Sequence, residues 1–97
     1  MGEANGSRYN LYIVYNVYVL KSNKDGNWYI GCTKNLDKRI KLHNSGQVKS
    51  TKNRIPFILI FKEDFPDKYK AFNAEKFYKT AKGKRVLKFK VDNCGIV

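Results

Sequence analysis

Runs of apolar residues divide the chain into short segments with the patterns of strands and helices. From Tyr9 to Leu20 the sequence YNLYIVYNVYVL is apolar at most positions and poor in helix formers. This pattern predicts a strand that is covered on both faces and lies near the middle of a sheet. A second strand, WYIGCT, begins at Trp28. Its alternation predicts two opposite sets, Trp28, Ile30 and Cys32 toward the core and Tyr29, Gly31 and Thr33 toward the other face.

The dipeptide Asp25-Gly26 between these strands is a strong hairpin signal. If the two residues form the turn, Tyr18 lies opposite Thr33 and Leu20 lies opposite Gly31, on the same face as Tyr29. A turn one residue longer would break this arrangement. The hairpin therefore predicts one face that carries two tyrosines beside a glycine.

Helical patterns follow the second strand. Asn35 is suited to cap a helix through NLDKRIKLHNSG, with Asp37 in its first turn and Gly46 past its end. The spacing places Arg39 and His43 on one flank, and the buried side is expected to hold Leu36, Ile40 and either Leu42 or Asn44. The remaining segments are predicted as a basic loop over 47–54, a strand in PFILIFKEDF, a helix opened by Pro66-Asp67, and a short helix from Gly83 or Lys84 to Val91.

The order of elements is thus ββαβαα, which predicts an α/β (α+β) domain. We expect a small three-stranded, largely antiparallel central sheet flanked by helices. Residues 1–8 are small and polar and are interpreted as a flexible lead-in, and residues 9–97 as a single domain. A chain of 97 residues leaves no room for two independent cores.

Charge narrows the class of protein further. Twenty Lys+Arg against eight Asp+Glu give a net charge of +12, which suits a polyanionic partner. A basic surface that only confers solubility is the alternative. Cys32 and Cys94 are widely spaced, which argues against a disulfide framework and a structural zinc site. We find no membrane span and no signal peptide in the sequence and expect an intracellular protein.

Two residues offer chemistry on their own. Glu75 lies in the middle of a predicted helix, where it either forms an exposed pair with Lys79 or binds Mg²⁺ or Mn²⁺ as a single hard oxygen ligand. One carboxylate cannot hold two metal ions, which argues against a two-metal nuclease. His43 is the single histidine, and with Arg39 on the same flank it forms a plausible phosphate cradle.

Together these segments resemble the GIY-YIG nuclease domain. The matching residues are Asn16-Val17-Tyr18, then Tyr29-Ile30-Gly31, then Arg39, His43 and Glu75 in family order and spacing. The resemblance covers roughly residues 15–89 and is greatest to small stand-alone members related to the catalytic module of excinuclease ABC. The first motif departs from the family pattern, because Asn16 stands where the family has glycine. A separate DNA-binding domain is also absent from the resemblance.

The resemblance implies an active site made of Tyr18, Tyr29, Arg39, His43 and Glu75. One phenol would activate or orient the attacking water, Arg39 would hold the scissile phosphate, and His43 would position the nucleophile or share the proton transfer. Glu75 would bind one Mg²⁺ or Mn²⁺ ion. Gly31 would keep the strand open to the substrate. The further substrate-binding residues that we predict are Gly31, Thr33, Lys38, Lys49, Lys52, Arg54 and Lys79.

The function expected from this resemblance is metal-dependent hydrolysis of phosphodiester bonds, in DNA more than in RNA, with repair-type or branched substrates. Targeting would come from the basic surface, from self-association or from a partner protein. Two alternatives stay open: a nucleic-acid-binding module without turnover, whose aromatic residues stack on bases, and an adaptor that binds folded RNA by shape.

Overall fold

The computed structural model describes residues 14–94 and contains three strands and three α-helices in the order ββαβαα. The elements are β1 (Tyr15–Ser22), β2 (Trp28–Thr33), α1 (Leu36–Asn44), a single 3₁₀ turn (Lys52–Arg54), β3 (Phe57–Phe65), α2 (Lys68–Tyr78) and α3 (Ala81–Cys94). The sheet has the order β2-β1-β3, and both neighbouring pairs are antiparallel. The predicted fold class is therefore confirmed. The predicted lead-in over 1–8 and the start of the predicted first strand, 9–13, lie outside the described residues.

Strand β1 occupies the centre of the sheet, as its apolar sequence predicts. Its residues 16–20 are buried, and its side chains alternate between two apolar clusters on opposite faces. One face, with Val17 and Val19 on β1, packs against α2 and α3 through Ala71 and Leu87. The other face, which carries Tyr18, packs against α1. Burial of apolar surface on both faces fixes β1 between the helices.

The predicted hairpin register is wrong by two residues. Tyr18 pairs with Gly31 rather than with Thr33, and Leu20 pairs with Tyr29. The loop between the strands is longer than Asp25-Gly26, because Ser22 N donates to Asn27 O at 2.9 Å. A shift by two residues preserves the alternation. Tyr18, Tyr29 and Gly31 therefore still share one face, as the sequence predicts.

Ser22 accounts for the longer turn. Its side chain is fully buried, and its hydroxyl accepts hydrogen bonds from Lys24 N at 3.0 Å and from Asp25 N at 3.1 Å. A serine that satisfies the backbone of the following residues favours such a compact loop. Gly26 closes the loop with a φ of 74°, a conformation that favours glycine. β1 consequently extends to Ser22, beyond the predicted end at Leu20.

The helices begin and end close to their predicted limits, except for the last. The side chain of Asn35 caps α1 by accepting from Lys38 N, and Gly46 follows that helix with a φ of 80°. α3 is longer than predicted at both ends, since Thr80 Oγ1 accepts from Gly83 N at 3.0 Å and begins the helix two residues earlier. A Cβ atom on Gly83 would lie 1.7 Å from the carbonyl oxygen of Phe77, so glycine permits the close approach of α3 to α2. Within residues 14–94, no helix combines the length and apolar character that a membrane span requires.

Candidate active site on the α1 face of the sheet

Three rings meet on the sheet face that α1 covers. Tyr18 on β1 and Tyr29 on β2 have ring centroids 6.3 Å apart. The imidazole of His43, from α1, lies 6.0 Å from the Tyr18 ring and 4.8 Å from the Tyr29 ring, edge-on to both. His43 is fully buried. Three of the residues that the sequence predicts to form a site are therefore brought together by three different elements.

Gly31 has a different role from the predicted one. A Cβ atom at this position would lie 2.4 Å from the hydroxyl oxygen of Tyr18 and 2.5 Å from the ring carbon that carries it. The space above Gly31 is thus filled by the Tyr18 phenol and is not open to a substrate. Glycine is required here because any side chain would displace the Tyr18 ring.

Hydrogen bonds fix the orientation of His43 from both sides. The Tyr18 hydroxyl lies 3.1 Å from Nε2, and Thr51 Oγ1 lies 2.8 Å from Nδ1. Thr51 is fully buried and its hydroxyl donates to Val48 O at 3.4 Å. Because that donation leaves the Thr51 oxygen as an acceptor, Nδ1 carries the imidazole proton and Nε2 accepts from Tyr18. The chain of donors therefore runs from Tyr18 to His43, and on to Thr51 and Val48.

Burial and charge set the protonation states of this chain. Burial raises the pKa of the Tyr18 phenol to about 12, although the neighbouring Arg39 guanidinium offsets part of that rise. Burial, followed by the charge of Arg39, lowers the pKa of His43 below 6.5. The interaction with Tyr18 raises the already high pKa of Arg39. At neutral pH the cluster thus holds a protonated phenol, a neutral imidazole and a cationic guanidinium.

Glu75 on α2 lies close enough to this cluster for its charge to act on it. It contributes to the raised pKa of Tyr18, and after burial it is the second cause of the raised pKa of the Cys32 thiol. Its side chain is 22% exposed, and Oε2 accepts from Lys79 Nζ at 2.9 Å. The pair that the sequence offers as the alternative role of Glu75 is therefore present.

The donor set near Glu75 suits one kind of metal ion. Among residues 14–94, no three His, Cys, Asp or Glu side chains come together as a metal centre. A single partly exposed carboxylate fits Mg²⁺ or Mn²⁺, which retain several waters and take the remaining ligands from a substrate phosphate. Such binding would require Lys79 to release or share the carboxylate. The residues present thus fit one hard, largely hydrated cation and no enclosed metal site.

The other predicted substrate-binding residues differ in their surroundings. Lys38, Lys49 and Lys52 are exposed, on α1 and on the basic loop that follows it. Thr33 Oγ1 accepts from Asn35 N at 3.1 Å, next to the start of α1. The guanidinium of Arg54 is bound to Asp25 at 2.8 Å and lies over the Phe57 ring, so its contacts tie the hairpin loop to β3.

Thr51 and Asn16 are the site residues that sequence reasoning missed. Thr51 lies in a polar loop without periodicity, and only its contact with His43 reveals its role. Asn16, which departs from the family pattern, is buried and donates to Asp64 on β3, its pairing partner. The substitution of glycine by asparagine is therefore accommodated by a hydrogen bond across the strands.

Comparison with known families places this arrangement. A sequence profile for the GIY-YIG catalytic domain matches residues 14–89. The chain belongs to the GIY-YIG family. Among its relatives, the UPF0213 protein YazA of Bacillus subtilis is 49% identical over 63 residues, which are 64% of this chain and 63% of that protein. The UPF0213 protein spr1390 of Streptococcus pneumoniae is 37% identical over 78 residues, or 79% of this chain and 78% of that protein.

A solved structure also resembles this GIY-YIG chain. The solution NMR structure of the UPF0213 protein BH0048 from Bacillus halodurans has 38% sequence identity and a TM-score of 0.49, and the match covers 77% of this chain and 82% of that one. The resemblance of the sequence to the GIY-YIG family is thus confirmed, and with it a potential for nuclease chemistry on nucleic acid.

Proposed function

We propose that this GIY-YIG protein is an endonuclease that hydrolyses phosphodiester bonds with the help of one divalent metal ion. The observation that carries the proposal is the directed hydrogen-bond chain from Tyr18 through His43 to Thr51, with Arg39 beside it. A packing histidine needs no such polar partner on each ring nitrogen. The chain instead provides a route for a proton away from an attacking water.

The proton route avoids a free phenolate. Because the pKa of Tyr18 is about 12, an ionised phenol is scarce at neutral pH. Tyr18 can nevertheless accept a proton from the attacking water while it passes its own proton to His43 Nε2. His43 then becomes an imidazolium, whose Nδ1–H stays bound to Thr51 at 2.8 Å. In this route His43 is the base and Tyr18 connects it to the water.

Arg39 supplies the positive charge that the transition state requires. Its guanidinium lies against Tyr18, and its buried fraction is small enough to leave it accessible to a phosphate at the cluster. Charge accumulates on the non-bridging oxygens as water adds to phosphorus, and a fixed cation stabilises that charge. We assign Arg39 to the scissile phosphate.

Glu75 is the residue that we propose to hold the Mg²⁺ or Mn²⁺ ion. When bound, the ion polarises the phosphate and stabilises the leaving oxygen. The contribution of the protein chain is a carboxylate on α2 whose charge reaches Tyr18, with Lys79 balancing that charge in the absence of metal.

DNA is the proposed substrate, and repair-type or branched DNA in particular. The net charge of +12 supports a polyanionic ligand. Lysines outnumber arginines, which favours contacts with phosphates over bidentate recognition of bases. Exposed Lys38, Lys49 and Lys52 extend this charge from α1 along the basic loop.

Cleavage of labelled single-stranded, duplex, flapped and branched DNA, with RNA as a comparison, tests the proposal. We expect products with Mg²⁺ or Mn²⁺, none with EDTA, and none with Glu75→Gln in metal. Asp67→Asn is the matched control, because it removes one negative charge from the start of the same helix while asparagine still caps it. Cleavage by Glu75→Gln at the wild-type rate would remove the metal-binding role.

A nucleic-acid-binding module without turnover is the second candidate. The ion pair between Glu75 and Lys79 favours it, because that pair occupies the carboxylate that a metal would need. Salt-sensitive binding of every DNA substrate with cleavage of none, in either metal, would establish the module in place of the nuclease.

A further inference from the structure

A groove runs along the opposite face of the sheet, between the hairpin end of the strands and α3. It consists of two adjacent cavities of about 430 and 410 Å³ that share Trp28 and Lys88. We call it the Trp28 groove and define it by Trp28, Lys21, Ile58, Lys84, Leu87 and Lys88. Each cavity has the size of a small-ligand site.

The sheet and α3 form its two walls. Trp28 on β2 pairs with Lys21 on β1, which pairs with Ile58 on β3, so these three residues form one row across the sheet. Leu87 closes the floor and is fully buried. Ile58 stays 40% exposed, because α3 does not cover this end of the sheet. The groove is therefore an opening left by the packing of α3 on the sheet.

The lining combines an aromatic wall with cations. Lys84 and Lys88 line the first cavity, which has no acidic residue, and Lys21 lines the second. The single carboxylate is that of Asp92, which lies 3.5 Å from Lys88 Nζ in the second cavity. An indole between ammonium groups matches a ligand that repeats flat bases and phosphates, which is an unpaired nucleic-acid strand. Bases within a duplex are already stacked and do not present their faces.

The position of the groove relates it to the candidate active site. Trp28 and Tyr29 are consecutive on β2, an edge strand, and their side chains lie on opposite faces of the sheet. We propose that the Trp28 groove binds an unpaired nucleotide segment, with a base against Trp28 and phosphates at Lys84 and Lys88. This proposal rests on the proposed function for the class of ligand. A strand that crosses the β2 edge would connect the groove to the cluster around Tyr29, and the preferred substrate would carry an unpaired flap.

Trp28 is the single tryptophan, so its fluorescence reports directly on the groove. The probe is a short oligothymidylate, titrated into the full chain in EDTA so that no cleavage occurs. We expect quenching of Trp28 fluorescence that saturates with binding. We also expect the double variant Lys84→Ser with Lys88→Ser to lower the slope of log affinity against log salt by about 1.4, which corresponds to two lost phosphate contacts on a single strand.

The matched control is the double variant Lys41→Ser with Lys76→Ser, which removes the same charge from exposed positions on α1 and α2. Its salt slope should be unchanged. Equal slopes for both double variants, or binding without a change in Trp28 fluorescence, would overturn the proposal. Quenching by a poly-glutamate peptide at the same affinity would overturn it too, since the groove would then recognise negative charge alone.

The aromatic contact is tested by Trp28→Leu and Trp28→Phe, with binding followed by anisotropy of a labelled oligothymidylate. Loss of stacking should weaken binding by about tenfold in the leucine variant, and phenylalanine should restore most of it. Equal affinity of all three folded proteins would contradict the stacking role. Because these measurements need no cleavage, the groove and the nuclease activity succeed or fail separately.

Discussion

Thr51→Val tests the hydrogen-bond chain at the residue that sequence reasoning missed. Valine has nearly the volume of threonine, so the substitution removes the hydroxyl and little else. The Nδ1–H of His43 then loses its acceptor at 2.8 Å inside a fully buried site. An unsatisfied buried donor costs about 1–3 kcal/mol, and we expect a loss near the lower end because valine is the more apolar residue.

The substitution should also change the tautomer of His43. Once Nδ1 has no acceptor, the favoured neutral form carries its proton on Nε2 and donates to the Tyr18 oxygen, 3.1 Å away. In that form Nε2 cannot receive a proton from Tyr18. General base catalysis contributes about 10²–10⁴ in rate, so we expect the nuclease rate of Thr51→Val to fall by about 10²-fold or more.

Both effects are measurable without ambiguity. His43 is the single histidine, so the nitrogen chemical shifts of the imidazole give its tautomer directly by NMR. Urea unfolding gives the stability, and a loss of 1 kcal/mol lowers the Tm of a domain of this size by about 4–8 °C. Thr51→Ser keeps the hydroxyl and should retain the tautomer and most of the activity. An unchanged tautomer together with an unchanged free energy of unfolding in Thr51→Val would refute the chain as we describe it.

Further predictions concern the same face of the sheet and its helices. Arg39→Ala should lower kcat by about 10²–10³-fold with little change in Tm; a rise in KM alone would return Arg39 to the general basic surface. Because the pKa of His43 is lowered from 6.5, activity should be constant at neutral pH and fall as pH drops through that lowered pKa, and stability should fall over the same range; a pH–rate profile and urea unfolding at each pH check this, and an acid limb above 6.5 would contradict it. Gly31→Ala should displace the Tyr18 ring, perturb the His43 resonances and reduce activity, since its Cβ would lie 2.4 Å from the phenol oxygen; unchanged resonances would contradict it. Gly83→Ala should separate α3 from α2 and cost at least about 1–3 kcal/mol by urea unfolding, without changing the His43 tautomer.

Much of the fold follows from the sequence because local patterns are consistent with one another. The alternation in WYIGCT assigns Tyr29 and Gly31 to one face, and the apolar run before it assigns β1 to the centre of the sheet. Asn35 and Gly46 limit α1, and that helix carries Arg39 and His43 toward the tyrosines. These features depend on residues that lie close together in the chain, so sequence patterns report them.

Tertiary structure alone decided the details on which the chemistry depends. The register of the hairpin was set by the hydroxyl of Ser22, a contact that the Asp-Gly signal does not reveal. The space over Gly31 is filled by Tyr18 from the neighbouring strand. Thr51 meets His43 because the loop after α1 folds back under the helix. Each of these is a contact between residues that have no fixed spacing along the chain, so the sequence by itself could determine which face holds the site but not which hydrogen bonds orient it.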